Sequence, residues 1–120
     1  MNGIVGSEAW KMVEAHQARL GGADLRKLFQ EDPQRAARFC GSAARLFVDY
    51  SKELLDDAAL DALLALADAA DLPAWRERLF AGERINGTED RPAWHTALRA
   101  AADDPWPATA PAQRAEILAE

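Results

Sequence analysis

The sequence predicts a mainly helical chain, built of short helices with one or two short strands. Three observations carry that prediction. Alanine, the best helix former, is the commonest residue. Gly and Pro punctuate the chain into short pieces. One stretch alone, residues 45–50, is dense enough in aromatic and branched residues to read as a strand. At 120 residues the chain fits one domain or part of one.

The first helix is expected from about Glu8 to Arg19. Ser7 precedes it as N-cap, because its hydroxyl can accept an otherwise orphaned backbone N–H. Gly21 and Gly22 supply its stop. Asp24 is placed to cap a second short helix, whose Leu25, Leu28 and Phe29 share one face. Asp32-Pro33 reads as a further start, with Pro33 at the first helical position, and this turn closes near Gly41. The strand Arg45–Tyr50 follows. Asp56 or Asp57 then caps the strongest helix, to about Ala70. Its Leu60, Leu63, Leu64 and Ala67 fall at i, i+3, i+4 and i+7, an amphipathic stripe.

Leu72-Pro73 opens another helix through Trp75, Leu79 and Phe80, ending at Gly82. A loop runs from Glu83 to Asp90, and Pro92 begins a helix carrying Trp94, His95 and Leu98. Residues 103–111 hold Pro105, Pro107 and Pro111 and read as a proline-rich linker. Residues 112–120 open a helical pattern with no stop signal, which reads as the start of a truncated helix. The organisation expected is therefore a helical segment over 1–102, the linker, and that partial helix. The expected core comprises Leu28, Phe29, Phe47, Leu60, Leu63, Leu64, Trp75, Leu79, Phe80 and Leu98.

Composition excludes several classes. Net charge is −6, without the basic stripe that a nucleic-acid binder uses to neutralise phosphates. Glu53, Asp56, Asp57, Asp61, Asp68 and Asp71 form an acidic run without Lys or Arg, read as a solvated helix face. No apolar run approaches the ~20 residues needed to span a bilayer. The N-terminus lacks a basic region followed by an apolar one, so no secretory signal is read there. A soluble, cytoplasmic chain is the expectation.

Candidate chemistry is sparse. His16 and His95 lie far apart, and Cys40 is the one cysteine, so neither a metal site nor a disulfide framework is expected. Cys40 reads as a buried, inert thiol. No G-x-S-x-G, P-loop or G-x-G-x-x-G is present. The loop around Thr88, with Arg84 and Arg91, is the nearest to a phosphate cradle. Glu83, Glu89 and Asp90 would repel a phosphate there, so its charges are expected to pair with each other and brace the loop. Asn86 and Thr88 would hold the turn.

The stretch from Phe80 to Arg99 carries a resemblance. It is similar to the glucose-6-phosphate isomerase family signature, approximately F-x-G-E-K-I-N-x-T-E-x-R-A-V-L-H-x-A-L-R. The matching positions are Phe80, Gly82, Glu83, Ile85, Asn86, Thr88, Glu89, Arg91, Ala93, His95, Ala97, Leu98 and Arg99. Arg84, Pro92 and Trp94 depart from it. Upstream, Leu25-Arg26-Lys27-Leu28-Phe29 with Asp32-Pro33-Gln34-Arg35 and Phe39 resembles an early family block. Asp49-Tyr50-Ser51-Lys52 resembles its D-Y-S-K strand.

The resemblance implies an aldose–ketose isomerase interconverting glucose 6-phosphate and fructose 6-phosphate, in glycolysis and gluconeogenesis. It implies a parent fold of α/β sandwiches of the sugar-isomerase type, a homodimer at full length, a sugar phosphate as partner only in the full-length enzyme, and no cofactor. The family's base, ring-opening histidine and phosphate loop belong to other blocks. No catalytic, substrate-binding, cofactor or metal residue is therefore assigned. Asp49, Tyr50, Ser51, Lys52, Gly82, Glu83, Ile85, Asn86, Thr88, Glu89, Arg91, His95, Leu98 and Arg99 are read as signature positions with structural roles. The chain is expected to be the family's N-terminal segment, inactive by itself. The alternative is a free-standing helical interaction module.

Overall fold

The computed structural model describes residues 3–90 and 92–93. Among them it contains α1 (Glu8–Leu20), α2 (Leu25–Glu31), α3 (Arg35–Arg38), β1 (Cys40–Ala43), β2 (Leu46–Asp49), α4 (Asp57–Ala69) and α5 (Leu72–Phe80). The mainly helical class is as the sequence predicts. The chain divides into two compact units at Ala70/Asp71. The linker 103–111, the partial helix 112–120 and the helix expected to carry Trp94, His95 and Leu98 lie outside the described residues. Pro92 and Ala93 are irregular.

In the first unit the helix starts are set by local chemistry. The Ser7 hydroxyl accepts from the Trp10 N–H at 3.1 Å. Asp24 accepts from Arg26 N–H at 2.9 Å, and Asp56 accepts from Ala59 N–H at 2.9 Å. Each satisfies a first-turn donor that the helix itself leaves unpaired. α1 ends at Gly21, as the sequence predicts, but without a left-handed cap residue. Gly21 is right-handed, with φ −60°. Its value is room: a Cβ there would sit 2.9 Å from the Gln17 carbonyl oxygen.

Pro33 does not begin a helix. Gln34 N–H bonds the Asp32 carboxylate and Arg35 N–H bonds the Asp32 carbonyl, both at 3.0 Å. That turn delays α3 to Arg35, and the Asp32 side chain competes with helical bonding. The chain then forms a hairpin rather than a lone strand. β1 and β2 pair antiparallel, from Cys40↔Asp49 to Ala43↔Leu46. The two connecting residues, Ala44 and Arg45, have φ of 47° and 67°. Positive φ at both positions is the turn whose twist matches paired strands.

α1 packs on α4, and the core is small: Leu20, Phe39, Ala59 and Ala62, with Arg35 and Ser51. This corrects the expected core. Phe47, Leu64, Phe80, Trp75 and Leu63 are 68%, 57%, 53%, 40% and 39% exposed, while Leu28, Phe29, Leu60 and Leu79 are half-buried. Leu98 lies outside the described residues. On α4 the apolar arc is wider than the surface α1 covers. The alanine edge is buried, Leu60 is half-buried, and Leu63 and Leu64 stay at the surface.

The second unit opens on Asp71, with φ 55°, and Pro73 in the first turn of α5. Its end is a Schellman motif. Gly82, at φ 69°, donates to Leu79 O at 3.2 Å, and Glu83 N–H donates to Arg78 O at 3.0 Å. Two carbonyls that the helix leaves open are thereby satisfied.

Candidate functional site

Arg35 is the centre of the first unit's polar chemistry. Its backbone follows the Asp32 turn, which aims the side chain inward between the α2–α3 corner and the segment after β2. Arg35 is 2% exposed. Nε donates to Ser51 O and Nη2 donates to Glu53 O, each at 2.7 Å. The guanidinium lies 4.6 Å from the Phe39 ring centre and 5.7 Å from that of Phe29. A buried cation needs such compensation, here supplied by carbonyl dipoles and ring faces. Phe39 in turn meets Tyr50 edge to face at 5.8 Å, and Tyr50 N–H donates to Phe39 O at 3.0 Å.

The D-P-Q-R and D-Y-S-K blocks therefore meet through Arg35, Phe39, Tyr50 and Ser51. Asp49 turns back on this junction and accepts from Ser51 N–H at 2.9 Å. The Ser51 hydroxyl, then its N–H, hold the Asp49 carboxyl below its ordinary range. Lys52 is exposed. In the sequence Arg35 stands out only as a motif position, because arginine is rarely a core residue.

Three ion pairs, made by two arginines, brace the surface around this junction. Arg19 at the end of α1 grips Asp56 with a two-pronged contact, 2.6 Å and 3.0 Å. Its hydrogen bonds hold the Asp56 carboxyl down at about 2, with Ala59 N–H contributing. Asp56 raises Arg19 in return. Arg19 also donates to His16 Nδ1 at 2.8 Å. Arg38 joins Asp57 and, at 2.8 Å, Asp32, and the Asp57 hydrogen bond first, then Asp32, raise it. The acidic run is thus only partly a solvated face: its first helical members hold α1 and α3 to the start of α4.

These groups line a cleft of about 640 Å³ whose walls include Arg19, Lys27, Glu31, Arg35 and Asp57. A second groove, about 350 Å³ and mostly apolar, runs between α1 and α4 beside Val13, Leu20 and Leu63. Among the described residues no group of three or more His, Cys, Asp or Glu could hold a metal ion. Cys40 is half-buried and its thiol donates to Ala37 O at 3.3 Å.

In the second unit the signature residues serve the loop itself. Glu83 accepts from Arg78 Nε at 2.7 Å, and Arg78 stacks over Trp75 at 4.5 Å. Arg84 donates to Asp90 at 2.7 Å. Asn86 Oδ1 accepts from the Thr88 hydroxyl at 2.7 Å and the Thr88 N–H at 3.2 Å. The loop's own pairing is as expected for Arg84 and Asp90. Glu83 differs: it reaches back to α5 rather than across the loop. Ile85 is half-buried and Glu89 exposed. Arg91, His95, Leu98 and Arg99 lie outside the described residues.

The fold and these contacts define an α-rich scaffold whose polar side chains are engaged chiefly with one another. A family model described as phosphoglucose isomerase matches residues 49–118. The chain belongs to the phosphoglucose isomerase family. It is 46% identical over 100 residues to glucose-6-phosphate isomerase 1 of Rhodococcus jostii, covering 83% of this chain and 18% of that protein. It is 48% identical over 92 residues to the glucose-6-phosphate isomerase of Deinococcus deserti, covering 77% and 17% respectively. For that of Roseiflexus sp. the identity is 47% over 91 residues, covering 76% and 17%. The chain thus spans under a fifth of these relatives' length. No helix among the described residues is long and apolar enough to cross a membrane.

Proposed function

We propose that this chain serves a glucose-6-phosphate isomerase, as the helical N-terminal scaffold of an enzyme interconverting glucose 6-phosphate and fructose 6-phosphate. The family match over residues 49–118 carries the reading. The work belongs to glycolysis and gluconeogenesis, in the cytoplasm, in a homodimeric enzyme without a cofactor. Asp49, Tyr50, Ser51 and Lys52, and the loop positions from Gly82 to Arg99, act by shaping backbone rather than by touching substrate. The 120 residues alone do not turn over sugar phosphate. In the described part the ionisable groups are spread over separate ion pairs, and catalysis needs acid, base and phosphate contacts held together.

A graft tests this. Residues 8–100 replace the corresponding stretch of the Rhodococcus jostii relative, and a coupled assay follows fructose 6-phosphate conversion. The reading requires the graft to isomerise and the isolated chain to stay at background. A folded, inactive graft, or turnover that follows the isolated chain through purification, overturns it.

A further inference from the structure

Arg35 is a buried cation with part of its guanidinium unused. One side is filled: Nε donates to Ser51 O and Nη2 donates to Glu53 O. Among the described residues Nη1 donates to nothing, and no carboxylate pairs with Arg35. The end-on fork, where Nη1–H lies beside the second Nη2–H, is therefore open, although only 2% of the residue reaches solvent. Unmet donors and an unmatched charge at such burial are costly. Arg35 is part of the wall of the 640 Å³ cleft. The Phe39 and Phe29 rings lie by the guanidinium and carbonyls fill its Nε side, so the open fork is what remains to face that cleft.

We propose that this cleft binds a small organic monocarboxylate, its two oxygens on the open fork of Arg35. A planar fork and a carboxylate match in a two-pronged hydrogen bond. The cleft's own carboxylates do not fill that place. Asp56 is held by Arg19, and Asp32 and Asp57 by Arg38, while Asp24 caps α2. Lys27 and Glu31, one turn apart on α2, are exposed at the cleft and form no ion pair among the described residues. Lys27 attracts the ligand and Glu31 opposes it. The wall as a whole carries more carboxylates than cations, which admits a single negative charge at Arg35 and repels a dianion such as phosphate. Leu20, Leu28 and Phe39 give the same wall apolar surface for the body of the ligand. The site lies within the first unit, and the proposal does not rest on the isomerase reading.

Benzoate is the probe. The isotope-labelled full chain is titrated with sodium benzoate by NMR, with sodium chloride holding the ionic strength constant. A ligand this small should bind with a Kd of about 1 mM, and the shifts should centre on the Arg35 side-chain Nε–H and the Lys27 and Leu28 amides. Inorganic phosphate at about pH 8, as the dianion, should bind at least about tenfold more weakly. Lys27→Glu reverses an exposed charge without touching the core, and should weaken benzoate by about threefold to fivefold. Arg35→Lys removes the fork, and should abolish saturation where its far-UV spectrum is native. If that variant unfolds, the Arg35 Nε–H shift and the Lys27→Glu titration decide. A titration that does not saturate by about 50 mM overturns the proposal. So do saturable shifts that leave Arg35 untouched, phosphate bound as tightly as benzoate, or an affinity that Lys27→Glu leaves unchanged.

Discussion

Arg35 Nε donates to the Ser51 carbonyl oxygen at 2.7 Å, and only 2% of Arg35 and 1% of Ser51 reach solvent. The contact closes the first unit from within. It ties the corner before β1 to the segment after β2, across a hairpin that otherwise contributes mostly exposed residues.

Arg35→Ala should be the most damaging single change in this unit. It leaves the buried Ser51 carbonyl and the part-buried Glu53 carbonyl unpaired and removes the nearer of the two cations over the Phe39 ring. The expected cost is about 3–5 kcal/mol, enough to unfold much of a unit this small at 25 °C. Arg35→Lys keeps the charge but lacks the forked geometry, and should recover only part of the loss. Urea titration followed by tryptophan fluorescence measures both. A loss under about 1 kcal/mol for the alanine variant would show the junction to be dispensable.

Asp56 should make stability depend on acid. Its folded value is about 2, against an ordinary 3.8. Above about pH 5 the carboxylate is ionised in both states and its full contribution is present. As pH falls from about 5 toward 2 the unfolded chain takes the proton first, and stability is lost. The full shift corresponds to about 2 kcal/mol. The Asp56 side chain is 36% exposed, so solvent screening reduces this to about 1 kcal/mol or less. Asp49 is lowered too and acts in the same direction. The expected result is a smaller acid-induced fall in the urea midpoint for Asp56→Asn than for the native chain. Equal falls would contradict it.

Leu64→Ala should cost less than about 1 kcal/mol, because a side chain 57% exposed leaves little cavity. Ala62→Leu should cost more, about 1–3 kcal/mol, because the added atoms must enter the closed contact around α4. Thermal melts of the two variants decide it. The reverse ranking would restore the leucine stripe as the packed face.

Gly82→Ala should destabilise the end of α5 by about 1 kcal/mol, since φ of 69° is strained for a residue with a Cβ. Hydrogen exchange at the Glu83 amide is the local readout. Unchanged protection there would show that the Schellman bonds hold without glycine.

What the sequence makes legible is chemistry confined to a few neighbouring residues. Ser7, Asp24 and Asp56 each cap the helix that follows because donor and acceptor lie within one turn. The paired nature of the 82–90 loop is readable for the same reason. β1 escapes notice because Gly41 and Ser42 are poor strand formers, and because Ala44-Arg45 lacks the Asn-Gly character expected of a turn with positive φ. The buried face of α4 escapes it too. An amphipathic stripe reports which side is apolar, and the neighbour that covers it decides which part is buried. The role of Arg35 depends on carbonyls sixteen and eighteen residues away, beyond any local pattern.

Because Arg35 grips main-chain oxygens, its partners carry no side-chain identity. At position 53, which is exposed, almost any residue presents the same acceptor and drift would leave the clamp untouched, whereas position 51 is closed and admits only a small side chain. The link would also be silent to covariation, since no compensating replacement is ever demanded of a carbonyl. The arginine alone would record the interaction. Families of sequences built this way would display an isolated, charged core position whose reason is visible only in three dimensions.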